Sequence, residues 1–570
     1  MCGIAGIVSP FDREEDLKKM LQVQKHRGPD HTGFYKDPGY AFLGHNRLSI
    51  IDLSPYANQP FNDPSGRYSM IFNGEIYNYK ELREELKHFY QFRTQSDTEV
   101  LLAAFIKHGE KCLYKLNGMF SFAIWDHHDK TLFAARDRFG VKPFYYRKRS
   151  KEFLFASEIK TLKAVSGTNE PSLKVWANYF AYGSYGLPDE TFFQDIYQLP
   201  AGHFLTFKNG ELQIDQWYDF MSNVSQIKTT DDFEDTKLRY LSLLKDSIRL
   251  RFRSDVEVGF NISGGVDSSL LLALVNFYDE SDQIKAYTFY TGNSDYDELP
   301  WVKKMIDITG NPLNEVLLKA SEVEKYSEVI SDFQDEPYGG IPTIAYAKIF
   351  EKAREENVLV LLDGQGMDEQ WAGYDYYSGE SSSIIQGQNR ISSTFKMNCL
   401  SEDLLRFSDK PIYPEPFKNK LQNLQFRDLF YTKIPRALRF NDRISMRCGT
   451  ELREPFMDHK LVEFAFAQPD HFKIKGNIQK HLLRELIKDI VPPEITNTPK
   501  RPLQTPQREW LGNELRDFVS EQLNTLRNSD FSHWFNHKTI EKEWNNYLKG
   551  DQDSSFHIWQ WINAAQLLSI

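Results

Sequence analysis

The chain is 570 residues long, and at roughly 100 to 200 residues per domain that exceeds a single hydrophobic core. Apolar residues make up 41%, charged residues 26% and aromatic residues 14%, a globular composition that excludes a disordered or fibrous chain. A net charge of -11 excludes a protein built mainly to grip nucleic acid or an anionic membrane, both of which need a basic surface.

From residue 2 to about 218 the chain reads as short apolar or alternating runs between turns, among them MIFNGEIYNY, FSFAIWD, TLFAARD and FLFAS, which predicts a strand-rich domain. Residues 219–236 are polar and weakly periodic and read as an inter-domain linker. A helix (233–253) that starts at the end of the linker leads into residues 237–570, with an alternating strand through Val256, Val258, Phe260 and Ile262, the turn Ser263-Gly264-Gly265 and the apolar helix SSLLLALVNF. The strand KAYTFY and the wholly apolar run VLVLL at 358–362 follow, an α/β pattern with a buried parallel sheet. After about residue 375 helical patterns dominate, broken by the polar stretch SGESSSIIQGQNR, which reads as a loop.

The four cysteines, Cys2, Cys112, Cys399 and Cys448, form no CxxC and no zinc-site spacing, which fits a reducing cytosol. Asp12, Arg13, Glu14 and Glu15 arrive before a signal-peptide core could grow, and no run of about eighteen apolar residues occurs. The protein is expected to be cytoplasmic.

Cys2 directly follows Met1. If Met1 is removed, one residue carries both a thiol and an α-amine, and with pKa values of about 8.5 and about 7.7 to 8.0 the proton can pass between them near neutral pH. By position alone Cys2 reads as a small buried residue of the strand CGIAGIV. Its company decides otherwise: HRGPD at 26–30, HNRLSIIDLS at 45–54, FNGEIYNY at 72–79 and SDTEV at 96–100 follow in order. This set resembles the class II glutamine amidotransferases, over residues 2 to 210. The resemblance implies an N-terminal nucleophile hydrolase fold, a sandwich of antiparallel sheets, with Cys2 as nucleophile and Asn73 and Gly74 as oxyanion hole. It further implies that Arg47, Leu48, Ile51, Asn73, Gly74, Glu75 and Asp97 bind glutamine. Arg47 would fork onto its α-carboxylate, and Glu75 and Asp97 would hold its α-ammonium. Arg27 and Asp30 read as loop-shaping residues.

SGGVDSS at 263–269 lies between strand and helix, where glycine N–H groups and a helix N-terminus bind anions, but it lacks the lysine and spacing of a P-loop. Asp267 in the first helical turn would repel polyphosphate unless Mg²⁺ bridged them. Asp368, in the loop after VLVLL, is the candidate second carboxylate for the metal; a capping aspartate is the alternative reading. With DRISMRCGTELREPFMDHKLVEFA at 442–465, KHLLRELIKDIVPPEI at 480–495 and PKRPLQTPQREWL at 499–511, the second part resembles the ATP pyrophosphatase domain of asparagine synthetases. That resemblance implies glutamine, ATP and a carboxylate as substrates, Mg²⁺, a homodimer, and a helical C-terminal part. It implies Asn261, Ser263, Gly264, Gly265, Asp267, Ser268, Thr291, Asp363 and Gly364 at ATP and Lys480 as the lysine that neutralises phosphate charge. DGQGMDE stands where the family commonly has SGEGSDE or SGEGADE, so Asp363, Gln365 and Met367 depart. Gln365 replaces a glutamate, and a neutral amide cannot be a general base. The acceptor is therefore expected to be aspartate or another carboxylate, such as a sugar uronate.

Overall fold

The computed structural model describes residues 1–167, 170–278, 284–379, 394–488, 490, 491, 493, 505–552 and 554–568. Most of the stretch expected to be a loop at 378–390 lies outside the described residues.

The strand-rich half contains β1 (Gly3–Val8), β2 (His31–Asp37), β3 (Ala41–Arg47), β4 (Phe61–Asn62), β5 (Tyr68–Ile76), β6 (Gly118–Asp126), β7 (Thr131–Arg136), β8 (Tyr145–Arg149), β9 (Glu152–Ala156), β10 (Tyr197–Gln198), β11 (His203–Lys208) and β12 (Glu211–Gln216). They form two six-stranded sheets, ordered β10-β8-β9-β1-β3-β2 and β12-β11-β7-β6-β5-β4. Alternate residues of facing strands make the core between them: Ala123 and Trp125, Leu132 and Ala134, Phe153 and Phe155, Leu205 and Phe207. Helices cover the outer faces. The helix Glu14–Val23 lays Leu17, Met20 and Leu21 on Ala5 and Ile7, and the helix Asp97–His108 lays Val100, Leu101 and Ala104 near Met70 and Phe72.

Residues expected to form a linker instead include a short helix, Phe220–Ser225, docked on the second half. Phe220 meets the rings of Phe430 and Phe466 at 5.1 and 4.9 Å, and Tyr218 Oη and Asn223 Nδ2 both donate to Glu463. The aromatic residue within a polar run supplies the anchor that a free linker would lack.

The second half is built on a parallel sheet: β13 (Val258–Asn261), β14 (Ala286–Tyr290), β15 (Leu313–Leu317), β16 (Val360–Leu362) and β17 (Glu451–Arg453), in the order β15-β14-β13-β16-β17. The chain leaves β13 toward one edge and returns through β16 toward the other. Between those two strands lies a topological switch point, where ligands of open α/β sheets bind. Helices such as Arg516–Asn528, His537–Leu548 and Phe556–Leu568 complete the C-terminal part. The halves share a core in which Phe72, Phe120 and Phe139 join Val360, Met446, Met457 and Phe466. Among the described residues no helix is long and apolar enough to cross a membrane.

Candidate active sites

Cys2 precedes β1, buried at 7% exposure, and Asn73 and Gly74 lie on β5 of the facing sheet. The Cys2 N–H donates to Asn73 Oδ1 at 3.0 Å, which orients the amide; Asn73 Nδ2 is then buried with no hydrogen-bond partner among the described residues. A buried donor left unmatched is costly, and here it is the donor an oxyanion would need. Gly74 has φ +152°, and a Cβ there would come within 2.1 Å of Met119 O, so a side chain cannot be accommodated. The Cys2 Sγ lies 3.9 Å from Leu48 O. Burial pushes its thiol up, partly offset by the positive chain terminus, the Leu48 carbonyl contact and Arg47.

Arg47 ends β3 and is 5% exposed. Its guanidinium donates to Ser54 O at 2.8 Å, Asn58 Oδ1 at 2.7 Å, Ile51 O and Asp52 O, so in this structure it braces the loop after Leu48. Asp97 opens its helix and accepts from the Ile76 N–H at 2.9 Å; burial pushes its carboxyl up to about 6. Glu75 is also held well above the carboxylate range, by burial and then by the charges of Glu451 and Asp97. Arg27 is fully buried and donates to Cys2 O at 3.1 Å and to Glu158 and Asp442, fixing the backbone at the nucleophile.

Sequence reasoning missed that the second half contributes to this site. Glu451 and Arg453, two residues apart on β17, turn the same face toward it. Glu451 accepts from the Met1 ammonium at 2.8 Å and from Arg453, and Arg453 Nη2 stands 3.5 Å from Glu75. Burial alone would raise Glu451, but the chain terminus, Arg453 and Lys142 outweigh it and bring its carboxyl to about 2. The segment GTELREP carried these charges in plain view, but nothing in their spacing revealed a partner some 450 positions away.

The second site is a cavity of about 790 Å³ over the ends of β13 and β16. Asn261, Ser263, Gly264, Gly265, Asp267, Ser268, Asp363, Gly364, Asp368 and Lys480 all line it. Gly264, at φ +70°, turns the chain into the helix Val266–Tyr278, and Ser263 and Ser268 join hydroxyls at 3.1 Å across the turn. Thr291 is placed otherwise: it does not line the cavity, because its N–H and hydroxyl both donate to Asp297, which does. Met367 is likewise turned into the core, where its sulfur accepts from Tyr240 Oη at 3.2 Å, so its departure from the family pattern does not reach the cavity.

Lys480 joins the two candidate metal carboxylates. Its Nζ stands 2.6 Å from Asp267 Oδ2 and 2.7 Å from Asp368 Oδ1, with its own backbone at φ +54°, an unusual value for lysine. A Cβ on Gly373 would lie 1.9 Å from Asp368 Oδ1 and 2.3 Å from Lys480 Cε, so glycine makes the room for this convergence. Burial would lower Lys480; the two aspartates outweigh it and hold its ammonium above the ordinary lysine value. Among the described residues no group of three or more His, Cys, Asp or Glu converges as a metal cage. Two carboxylates focused on one cationic point fit Mg²⁺, which commonly binds through one or two carboxylates plus substrate phosphates.

Two family models match the chain: a glutamine amidotransferase domain over residues 1–218 and asparagine synthase over residues 239–569. The chain is 30% identical to asparagine synthetase [glutamine-hydrolyzing] 3 of Bacillus subtilis (strain 168), covering 100% of this chain and 97% of the relative. It is 28% identical to asparagine synthetase [glutamine-hydrolyzing] 1 of the same organism, over 98% of this chain and 95% of the relative. It is also 26% identical to amidase chry2 of Gibberella zeae, over 91% of this chain and 89% of the relative.

Proposed function

Because the chain belongs to the asparagine synthase family, with a glutamine amidotransferase domain ahead of its synthase domain, we propose that it makes asparagine from aspartate, glutamine and ATP, releasing glutamate, AMP and pyrophosphate. One observation carries the reading. Strand β17 delivers Glu451 to the chain terminus beside Cys2, while its hydrogen-bonded neighbour β16 runs into Asp363 and Gly364 of the nucleotide cavity, so the two sites share a wall.

At the first site, removal of Met1 gives Cys2 a free α-amine, already facing Asn73 Oδ1. That amine takes the thiol proton, and the thiolate attacks the glutamine side-chain carbonyl. Asn73 Nδ2 and a backbone N–H at Gly74 meet the oxyanion. Arg47 and its loop, with Glu75 and Asp97, hold the amino-acid end.

At the second site the turn 263–265 and the following helix N-terminus cradle the ATP phosphates, and Asp267 and Asp368 would hold Mg²⁺, which neutralises phosphate charge when bound. Lys480 changes partner from the aspartates to phosphate as the carboxylate attacks. The acyl-adenylate is then met by ammonia arriving inside the protein.

A second reading, with another carboxylate such as a sugar uronate as acceptor, is favoured by Gln365, which lines the cavity where the family commonly has glutamate, and by Arg436 and Arg439, which line it beyond the nucleotide loops. Mass spectrometry of products from glutamine, MgATP and a panel of carboxylates separates the two. Asparagine as the dominant amide supports aspartate; a uronamide with no asparagine overturns it.

A further inference from the structure

Between the two sites lies a second, much smaller cavity, of about 10 Å³, enough for one water-sized molecule. Met119 lines it and is the residue whose carbonyl abuts Gly74; Phe139 and Val141 line both it and the ATP cavity. The space therefore lies on the line from the oxyanion strand to the nucleotide.

Its walls hold polar atoms that find no hydrogen-bond partner among the described residues: Tyr77 Oη and Arg251 Nε, both buried. Glu454, 5% exposed, lines the cavity, and no described residue donates a hydrogen bond to its carboxylate; burial acts on it most strongly, ahead of the surrounding charges. An isolated buried carboxylate normally carries a large penalty unless a ligand or a proton compensates it.

Resting on the amide-synthetase reading above, in which ammonia passes inside the protein and this cavity is a waypoint for it, we propose that Glu454 is the proton acceptor there. An ammonium entering from the Cys2 side breaks one N–H bond toward a Glu454 carboxylate oxygen. The electron pair stays on nitrogen, and neutral ammonia goes on to the acyl-adenylate. The proton leaves Glu454 by way of Asp363 to water in the open ATP cavity. Asp363 and Glu454 are the residues that directly follow β16 and β17, and they come side by side because Leu362 pairs with Arg453 and the Asp363 N–H donates to Arg453 O at 3.0 Å. Ammonium is positively charged and water-sized, so the same space that leaves Glu454 unbonded accommodates it.

The charges around Glu454 suit the role. Burial raises its carboxyl to about 8, Lys142 and Arg251 pull it down, and Asp363 and Asp442 push it up. Of the other titratable walls, burial lowers His459 to about 3 and so keeps it neutral, and Arg138 remains a cation. Asp137, the other carboxylate of the wall, is held by the backbone N–H groups of Phe120, Phe139, Val141 and Lys142, which leaves Glu454 as the wall carboxylate open to a ligand or a proton. The group also answers the Gln365 problem: a carboxylate is present on the ammonia's route although position 365 holds a neutral amide.

The test measures three quantities in the full-length protein and in Glu454→Gln and Glu454→Asp: glutamate release, pyrophosphate release and amide formation, each from pH 6.5 to 9. The expected result is near-normal glutamate release in Glu454→Gln, with amide per glutamate falling at least about tenfold at pH 7 and recovering toward pH 9, where ammonia is unprotonated without help. Glu454→Asp recovers part of the coupling. Amide per glutamate equal to the parent at every pH overturns the proposal, as does a loss that is the same at every pH, which marks Glu454 as structural. If the parent protein itself forms no amide from any carboxylate, the functional reading fails and the waypoint with it, an outcome visible before any variant is compared.

Discussion

The Cys2 N–H and Asn73 Oδ1 are joined at 3.0 Å across two sheets, and this one bond decides which end of the asparagine amide is free. Because Oδ1 is occupied by the nucleophile's own backbone, Nδ2 is the donor left facing the place where negative charge develops. Asn73→Ala is therefore expected to lower the turnover of glutamine hydrolysis by roughly a hundred- to a thousandfold, the usual effect of losing one oxyanion donor, with little change in KM. Glutamate release under saturating glutamine checks it. A loss of only a few fold would assign the oxyanion to other donors.

Asp267→Asn and Asp368→Asn should each reduce AMP and pyrophosphate formation by roughly a hundredfold or more while glutaminase activity stays within about twofold. The reason is spatial: both carboxylates meet at Lys480, in the cavity over β13 and β16, and neither touches the Cys2 site. Normal pyrophosphate release in either variant would remove that residue from the cation position.

Glutamine binding should depend on pH through Asp97. Its carboxyl is raised to about 6 by burial, so the free protein carries it protonated below that pH and ionised above. The sign for stability is that of a raised acid: ionisation costs stability above about pH 6, and the cost is relieved as pH falls. Binding runs the other way, because the glutamine α-ammonium needs the ionised form. KM for glutamine should be flat above pH 7 and rise below pH 6, and Asp97→Asn should raise KM and flatten that rise. An unchanged acid limb in Asp97→Asn would assign the titration to Glu75 or another group.

Gln365→Glu places a carboxylate at the cavity-lining position where the family commonly has glutamate. With aspartate as acceptor and a base needed there, the variant should form asparagine faster than the parent, read as amide per AMP. If Glu454 already handles the proton, the gain is small and Glu454→Gln becomes less damaging in the Gln365→Glu background.

Much of the architecture was legible because it is written in local periodicity. Alternating runs such as FSFAIWD and TLFAAR became β6 and β7, and the apolar VLVLL contains β16, buried as a parallel strand must be. The turn 263–265 was legible because glycine before an apolar helix has few other uses. What stayed hidden depends on contacts between distant positions. Glu451, Arg453 and Glu454 look like an ordinary charged surface in GTELREP, and only the pairing of β17 with β16, against the chain terminus, buries them. Thr291 was assigned to the nucleotide by motif position, yet Asp297, six residues on, captures its hydroxyl. The docked helix Phe220–Ser225 was missed because one phenylalanine in a polar segment gives no periodicity to read.

The central claim is that nitrogen freed at Cys2 is used at the second site of the same chain. It is tested most directly by giving the protein MgATP, the acceptor carboxylate and glutamine with heavy nitrogen in its side-chain amide, in excess unlabelled ammonium, and weighing the amide product. The account predicts heavy product from the parent protein. Cys2→Ala should give only light product, at a rate that grows with ammonium concentration and with pH. Light product from the parent, or heavy product from Cys2→Ala, would contradict it.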